Sequence, residues 1–146
     1  MEPQIHLNWM SILVATVATF IFSALWYMPL FGKAWAKEMK MDMTAKPQTS
    51  VMVKGMVFTL LGNLFMVFVF THNIQAWNPI TWGQPAGQMS PIGMANAAAF
   101  FTWIGFFVPQ GLSRIAWENS SWSLFFINTA YHYLSLLISA IILIMM

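Results

Sequence analysis

The sequence predicts an all-α polytopic membrane protein: four transmembrane helices in an antiparallel bundle, with a short amphipathic helix after the first. Three observations carry this. Hydrophobic residues make up 59% of the 146 positions and charged ones only 7%, where a soluble domain carries about 25% charge. Mean hydropathy is +0.66. The ten charged side chains also leave three charge-free stretches, 3–32, 55–113 and 119–146. Disorder needs the opposite composition. The absence of cysteine excludes a disulfide framework, a thiolate metal site and a cysteine nucleophile.

A helix needs about 20 apolar residues to cross the hydrocarbon core. The first and last stretches therefore hold one span each, about 7–30 and 122–145. The middle stretch holds two, about 52–72 and 92–112, divided by the polar, turn-rich segment Thr71 to Pro91 with its Asn78-Pro79, Gln84-Pro85 and Ser90-Pro91 pairs. Proline lacks a backbone donor and biases the preceding residue out of the helical region. Continuous apolar runs, in place of short alternating ones, exclude a β-barrel. Residues 1–146 thus read as one transmembrane domain.

Basic residues set the expected orientation. The first connection carries five lysines against Glu38 and Asp42, and the third carries Arg114 and Glu118, while the second has no charge. The positive-inside rule puts both charged connections in the cytoplasm, with both termini and the long loop 73–91 outside a cell (inner) membrane. That loop is read as an interfacial connection or a lid. The first eight residues hold no Lys or Arg, which argues against a cleavable signal peptide. Tryptophans fit these boundaries. Trp9 falls at the outer start of the first span, Trp77 and Trp82 in the outer loop, and Trp26, Trp35, Trp117 and Trp122 near cytoplasmic ends; Trp103 alone is mid-span. Indole rings favour the headgroup level, so Trp9, Trp35, Trp117 and Trp122 are the expected interfacial anchors.

From Gly32 to Lys46, Trp35, Met39 and Met43 recur every four residues with Lys33, Lys37 and Lys40 on other sides. This predicts an amphipathic helix in the cytoplasmic interface, read either as an anchor with snorkelling lysines or as a lipid- or partner-binding element.

Polar side chains at membrane depth are costly, so their placement is the strongest functional signal. Asn128, His132, Ser135 and Ser139 are spaced to share one face of the last span. Asn63 in the second span and Asn96 in the third face inward in a compact bundle. Two readings stand: these groups pack helices together by interhelical hydrogen bonds, or they line a pocket or path. His132 is the sole titratable group at mid-membrane, which leaves a remote haem- or metal-binding reading. His6 and His72 lie at the outer face, too far for a three-histidine metal site. No intramembrane carboxylate pair, Gly-x-Ser-x-Gly, His-Glu-x-x-His or phosphate loop occurs. The helix-1 glutamate on which small multidrug exporters depend is missing as well.

Two segments echo each other: Trp26 to Trp35 and Val108 to Trp117 each run Pro, Gly, a basic residue and Ala-Trp. A true repeat implies two parallel hairpins related by an axis along the membrane normal. Ala24-Leu25-Trp26-Tyr27-x-Pro29-Leu30-Phe31-Gly32-Lys33-Ala34-Trp35, the Trp103-Ile104-Gly105-Phe106 run with Pro109, and Ile127-Asn128-x-x-Tyr131 resemble the small membrane-protein family catalogued as domain of unknown function 1761. The resemblance covers nearly the whole chain and implies a prokaryotic-type protein of about four spans. It implies no activity and no catalytic residues, and Met28 stands where the family pattern has Ser.

The expected function is binding or passage of a small or amphipathic molecule through the polar stripe Asn63, Asn96, Asn128, His132, Ser135 and Ser139. The alternative is a structural or accessory subunit whose polar residues pack helices or mediate homo-oligomerisation. No enzyme activity, cofactor or metal is expected. The lipid bilayer is the expected partner, and nucleic acid is not.

Overall fold

The computed structural model describes residues 2–42, 44–45 and 48–146. Asn8 caps the first helix, α1 (Trp9–Leu25), its Oδ1 accepting from Met10 N at 3.1 Å and Ser11 N at 3.2 Å. A π-helical turn, Trp26–Leu30, continues it, and α2 (Gly32–Glu38) follows. Next come α3 (Thr49–Ala76), a 3-10 turn at Pro79–Trp82, α4 (Pro91–Thr102), a second π turn at Trp103–Phe107, α5 (Val108–Glu118) and α6 (Trp122–Met145). Four helical runs are long and apolar enough to cross a membrane: Trp9–Leu30, Thr49–Ala76, Pro91–Glu118 and Trp122–Met145. The chain is a multi-pass, all-helical membrane protein, with no strand among the described residues.

Three boundaries differ from the sequence expectation. The second span starts at Thr49 and runs to Ala76, so His72 is helical. The third does not stop at 112: α5 stays helical through Arg114 to Glu118, leaving a turn of only 119–121. The helix runs through Pro109 and Gly111 because the wider turn before them closes Val108 N onto Trp103 O, and Pro109 falls where a missing donor costs no helical bond. The first span uses the same device, with Pro29 inside the turn that Phe31 N closes on Trp26 O at 2.8 Å. Gly32 follows because a Cβ there would stand 2.7 Å from Tyr27 O.

The amphipathic helix is also shorter than the periodicity suggests. It ends at Glu38, and Lys40 takes a left-handed conformation (φ 54°) that stops it. Its inward residues are Trp35 and the buried Ala36, while Met39 is exposed; Met43 and Lys46 lie outside the described residues. In the long loop, Gln4 N donates to Thr81 O at 2.9 Å, His6 N donates to Gln75 Oε1 at 2.9 Å, and Gln75 Nε2 donates to His6 O. Asn8 Nδ2 reaches Met146 O at 3.3 Å. Both termini and this loop therefore share one end of the molecule. At the opposite, charged end, Ser121 Oγ donates to Glu38 Oε2, tying α2 to the α5–α6 turn.

Helix α6 is the centre of the bundle, with α1 against one side and α4 against another. Small residues bring these helices close, as membrane interfaces require. Ala95 and Ala99 of α4 pack with Leu136 and Ala140 of α6 and with Phe70 and Ile74 of α3, all buried. Ile12 and Ala15 of α1 pack with Val67 of α3. At the charged end Trp26, Ile127 and Tyr131 form a third cluster. Helix α3 joins only from Asn63 onward; residues 49–62 are exposed on every side. Four helices thus pack together at the terminal end and three at the charged end.

Candidate functional site

The two π turns fix the site's surroundings. Each begins with a tryptophan whose indole N–H needs a partner away from water, and both find one on α6. Trp26 Nε1 donates to Ile127 O at 3.2 Å, and Trp103 Nε1 donates to Thr129 O at 2.8 Å. Those carbonyls flank Asn128. Trp26, expected near an interface, lies in the charged-end cluster and is buried as a packing residue.

Beside Asn128, α5 and α6 line a half-open cavity of about 340 Å³, within the range of small-molecule sites, about 300–1,000 Å³. One wall is the α5 face of Gln110, Gly111, Ser113, Arg114 and Glu118, and the other is the α6 face of Phe125, Asn128, Thr129 and His132. Phe107 closes the inner end and Ser120 lies at the 119–121 turn. Glycine at 111 sets the helix separation, since a Cβ would stand 2.8 Å from two ring carbons of Phe125 and 3.2 Å from Thr129 Cγ2.

Its polar groups are held in place. Asn128 Oδ1 accepts from Tyr27 Oη at 2.9 Å, which commits the carbonyl to α1's π turn and leaves Nδ2 as the donor. The His132 ring stacks on Phe107 with centroids 4.4 Å apart and meets the edge of Tyr131 at 5.1 Å. Arg114 Nε donates to Glu118 Oε2 at 3.2 Å, one turn apart on α5. Outside the spans, Asp42 has its carboxyl held below the usual range by hydrogen bonds from the Thr44 hydroxyl and backbone N–H.

Of the six expected ligand-lining residues, Asn128 and His132 meet in this cavity. Ser135 and Ser139 are fully buried in the packed bundle. Asn63 is buried on α3, and Asn96 is exposed, accepting from Tyr133 Oη at 2.6 Å. Ser139 Oγ, like the hydroxyls of Thr16, Thr19, Thr71 and Thr129, donates to a carbonyl of its own helix. Among the described residues, Asn63 Nδ2 and Ser135 Oγ are buried without a hydrogen-bond partner. The sequence reading missed Gln110, Arg114 and Glu118 as site residues, though their spacing of four was the available signal. Of the expected anchors, Trp9, Trp117 and Trp122 are exposed, and Trp35 is half-buried with its ring edge-on to Tyr27 at 5.7 Å.

A second, apolar cavity of about 600 Å³ lies between α3 and α4 towards the terminal end, lined by Ile74, Trp77, Met89, Met94, Phe101 and Phe106 among others. Adjacent residues of one π turn, Phe106 and Phe107, thus face different cavities. Among the described residues no group of three or more His, Asp or Glu side chains is placed to hold a metal ion. The family model described as a protein of unknown function (DUF1761) matches residues 10–144. No curated protein and no solved structure matches the chain.

Proposed function

The chain belongs to the DUF1761 family, and since that family has no known function we propose a role from the residues themselves: binding of a small amphipathic molecule in the α5–α6 cavity. The charged end faces the cytoplasm of a bacterial inner membrane in this reading, with both termini outside, and the chain performs no catalysis. One observation carries the proposal. A polar wall of Arg114, Gln110, Asn128 and His132 runs from the charged end towards the middle of the bundle beside the apolar rings of Phe107 and Phe125. A head group and a hydrocarbon portion would each meet a matching surface there.

The test is delipidated protein in neutral detergent, titrated with a lipid extract of its host membrane while thermal unfolding is followed. His132→Phe keeps the ring stack on Phe107 and removes both nitrogens. Wild type should be stabilised by the extract and the variant, equally folded and monodisperse, should not. Equal stabilisation of both, or of neither, refutes the cavity as the binding site.

A second reading, an accessory or self-associating subunit, is favoured by the exposed arm 49–62. At Gly55 and Gly62 no atom beyond the helix's own adjoining backbone lies within 4 Å of the place a Cβ would take, and glycine on a transmembrane helix commonly serves close helix packing. Light scattering in neutral detergent distinguishes the two: a dimer lost in Gly55→Leu supports association through the arm, and a monomer in both opposes it.

A further inference from the structure

We infer that the cavity selects a zwitterionic head group, an anionic phosphate or carboxylate a few bonds from a primary ammonium; this rests on the binding role proposed above. Arg114 and Glu118 both line the cavity and touch each other through one contact, Nε to Oε2 at 3.2 Å. The two terminal guanidinium nitrogens and Glu118 Oε1 are left for other partners.

That pairing disfavours a ligand of single charge. An anion docked on the guanidinium lies beside the Glu118 carboxylate, and a cation docked on Glu118 lies beside the guanidinium. Either gains one attraction and one repulsion of similar range. A zwitterion sets its anion on Arg114 and its ammonium on Glu118, so the four charges alternate.

The neighbouring groups fit the same ligand. Asn128 Nδ2 is a donor suited to a phosphate or carboxylate oxygen, because Tyr27 holds the amide oxygen. The N-terminus of α6, a second attraction for an anion, is already answered by Glu38, which accepts from the capping Ser121 hydroxyl. The rim therefore adds no separate preference for a purely anionic ligand. Arg114 and Glu118 are 60% and 62% exposed at the charged end of the span, where membrane head groups lie, and Phe107 continues the site inward.

Binding to the full chain in neutral detergent is measured with four probes: dihexanoyl phosphatidylethanolamine, dihexanoyl phosphatidylglycerol, hexylamine and soluble O-phosphoethanolamine. The exposed pair contributes little to folding, so Arg114→Gln, Glu118→Gln and the charge swap R114E/E118R remain folded. Each single variant should weaken phosphatidylethanolamine binding about fivefold, and the swap should restore it to within about twofold. Glu118→Gln should tighten phosphatidylglycerol binding. O-phosphoethanolamine binding as tightly as the lipid supports the class with a soluble source, and lipid-only binding supports it with a lipid source. Binding that depends on His132 yet is unaffected or strengthened by Glu118→Gln for the zwitterion overturns the charge selection and leaves the cavity standing. Probes that fail to bind, or that bind His132→Phe equally, overturn both.

Discussion

The separation of α5 from α6 should depend on the missing side chain at residue 111. In Gly111→Ala the new Cβ would sit 2.8 Å from Phe125 Cδ2 and Cε2 and 3.2 Å from Thr129 Cγ2, where carbon atoms pack best at about 3.5–4.0 Å. Phe125 or α5 itself must move by most of an ångström. Overpacking of this kind costs about 1–3 kcal/mol, and alanine's better helix propensity returns about 1 kcal/mol. Gly62→Ala makes the matched control, since nothing beyond the helix's own adjoining backbone lies within 4 Å of its Cβ position and only the propensity gain remains. The two variants should differ by about 1–3 kcal/mol, with Gly111→Ala the less stable. Equilibrium unfolding in mixed micelles, followed by tryptophan fluorescence, measures this. Equal stability of the two refutes the close α5–α6 contact. A loss confined to Gly62→Ala points to a partner helix on the exposed arm.

Ser135→Ala removes a buried hydroxyl that has no partner and should be neutral or stabilising by up to about 1 kcal/mol in the same unfolding assay. Trp103→Phe loses the indole bond to Thr129 O and should cost about 1 kcal/mol, visible as a lower midpoint. Because the chain has no cysteine, single introduced cysteines report topology cleanly. In intact cells an impermeant maleimide should label Asn78→Cys and not Lys40→Cys, and the reverse pattern inverts the orientation. The Asp42 carboxyl, its pKa depressed by Thr44, should titrate below the ordinary carboxylate range by NMR. The turn it holds is stabilised above the unfolded pKa and loses that contribution as pH falls through the folded value, an effect Thr44→Ala should reduce by removing the hydroxyl while the backbone N–H bond remains.

The spans were legible because a membrane imposes one strong rule: charges stay at the ends. Positions of Lys33 to Lys54 and of Arg114 and Glu118 marked the charged end within a few residues. The rule fails locally where a helix continues past a charge. Arg114 and Glu118 extend α5 as a turn-spaced pair, and reading them as a loop hid half of the cavity wall. Pro29 and Pro109 fell inside the expected spans, yet composition alone does not show that each sits in or beside a π turn. The polar stripe was legible as a face, and its division was not. Ser135 and Ser139 share helical phase with Asn128 and His132. Only the packing of neighbouring helices against α6 decides that one half is filled and the other open.

That division follows from the two prolines. Each lies in or just after a π turn, and each turn aims a tryptophan at a carbonyl on either side of Asn128. Towards the terminal end from there, α1, α3 and α4 surround α6 and leave it no free polar face. Towards the charged end α3 has parted from the bundle, and α5 approaches α6 only where Gly111 allows it. The cavity therefore occupies a stretch of α6 where polar side chains and open space coincide. A chain with Pro29 and Pro109 both replaced by leucine should regularise the turns, displace the two indoles from Ile127 and Thr129, and lose ligand binding while remaining inserted. Retained binding in that double variant would show that the turns only accommodate the prolines and do not shape the site.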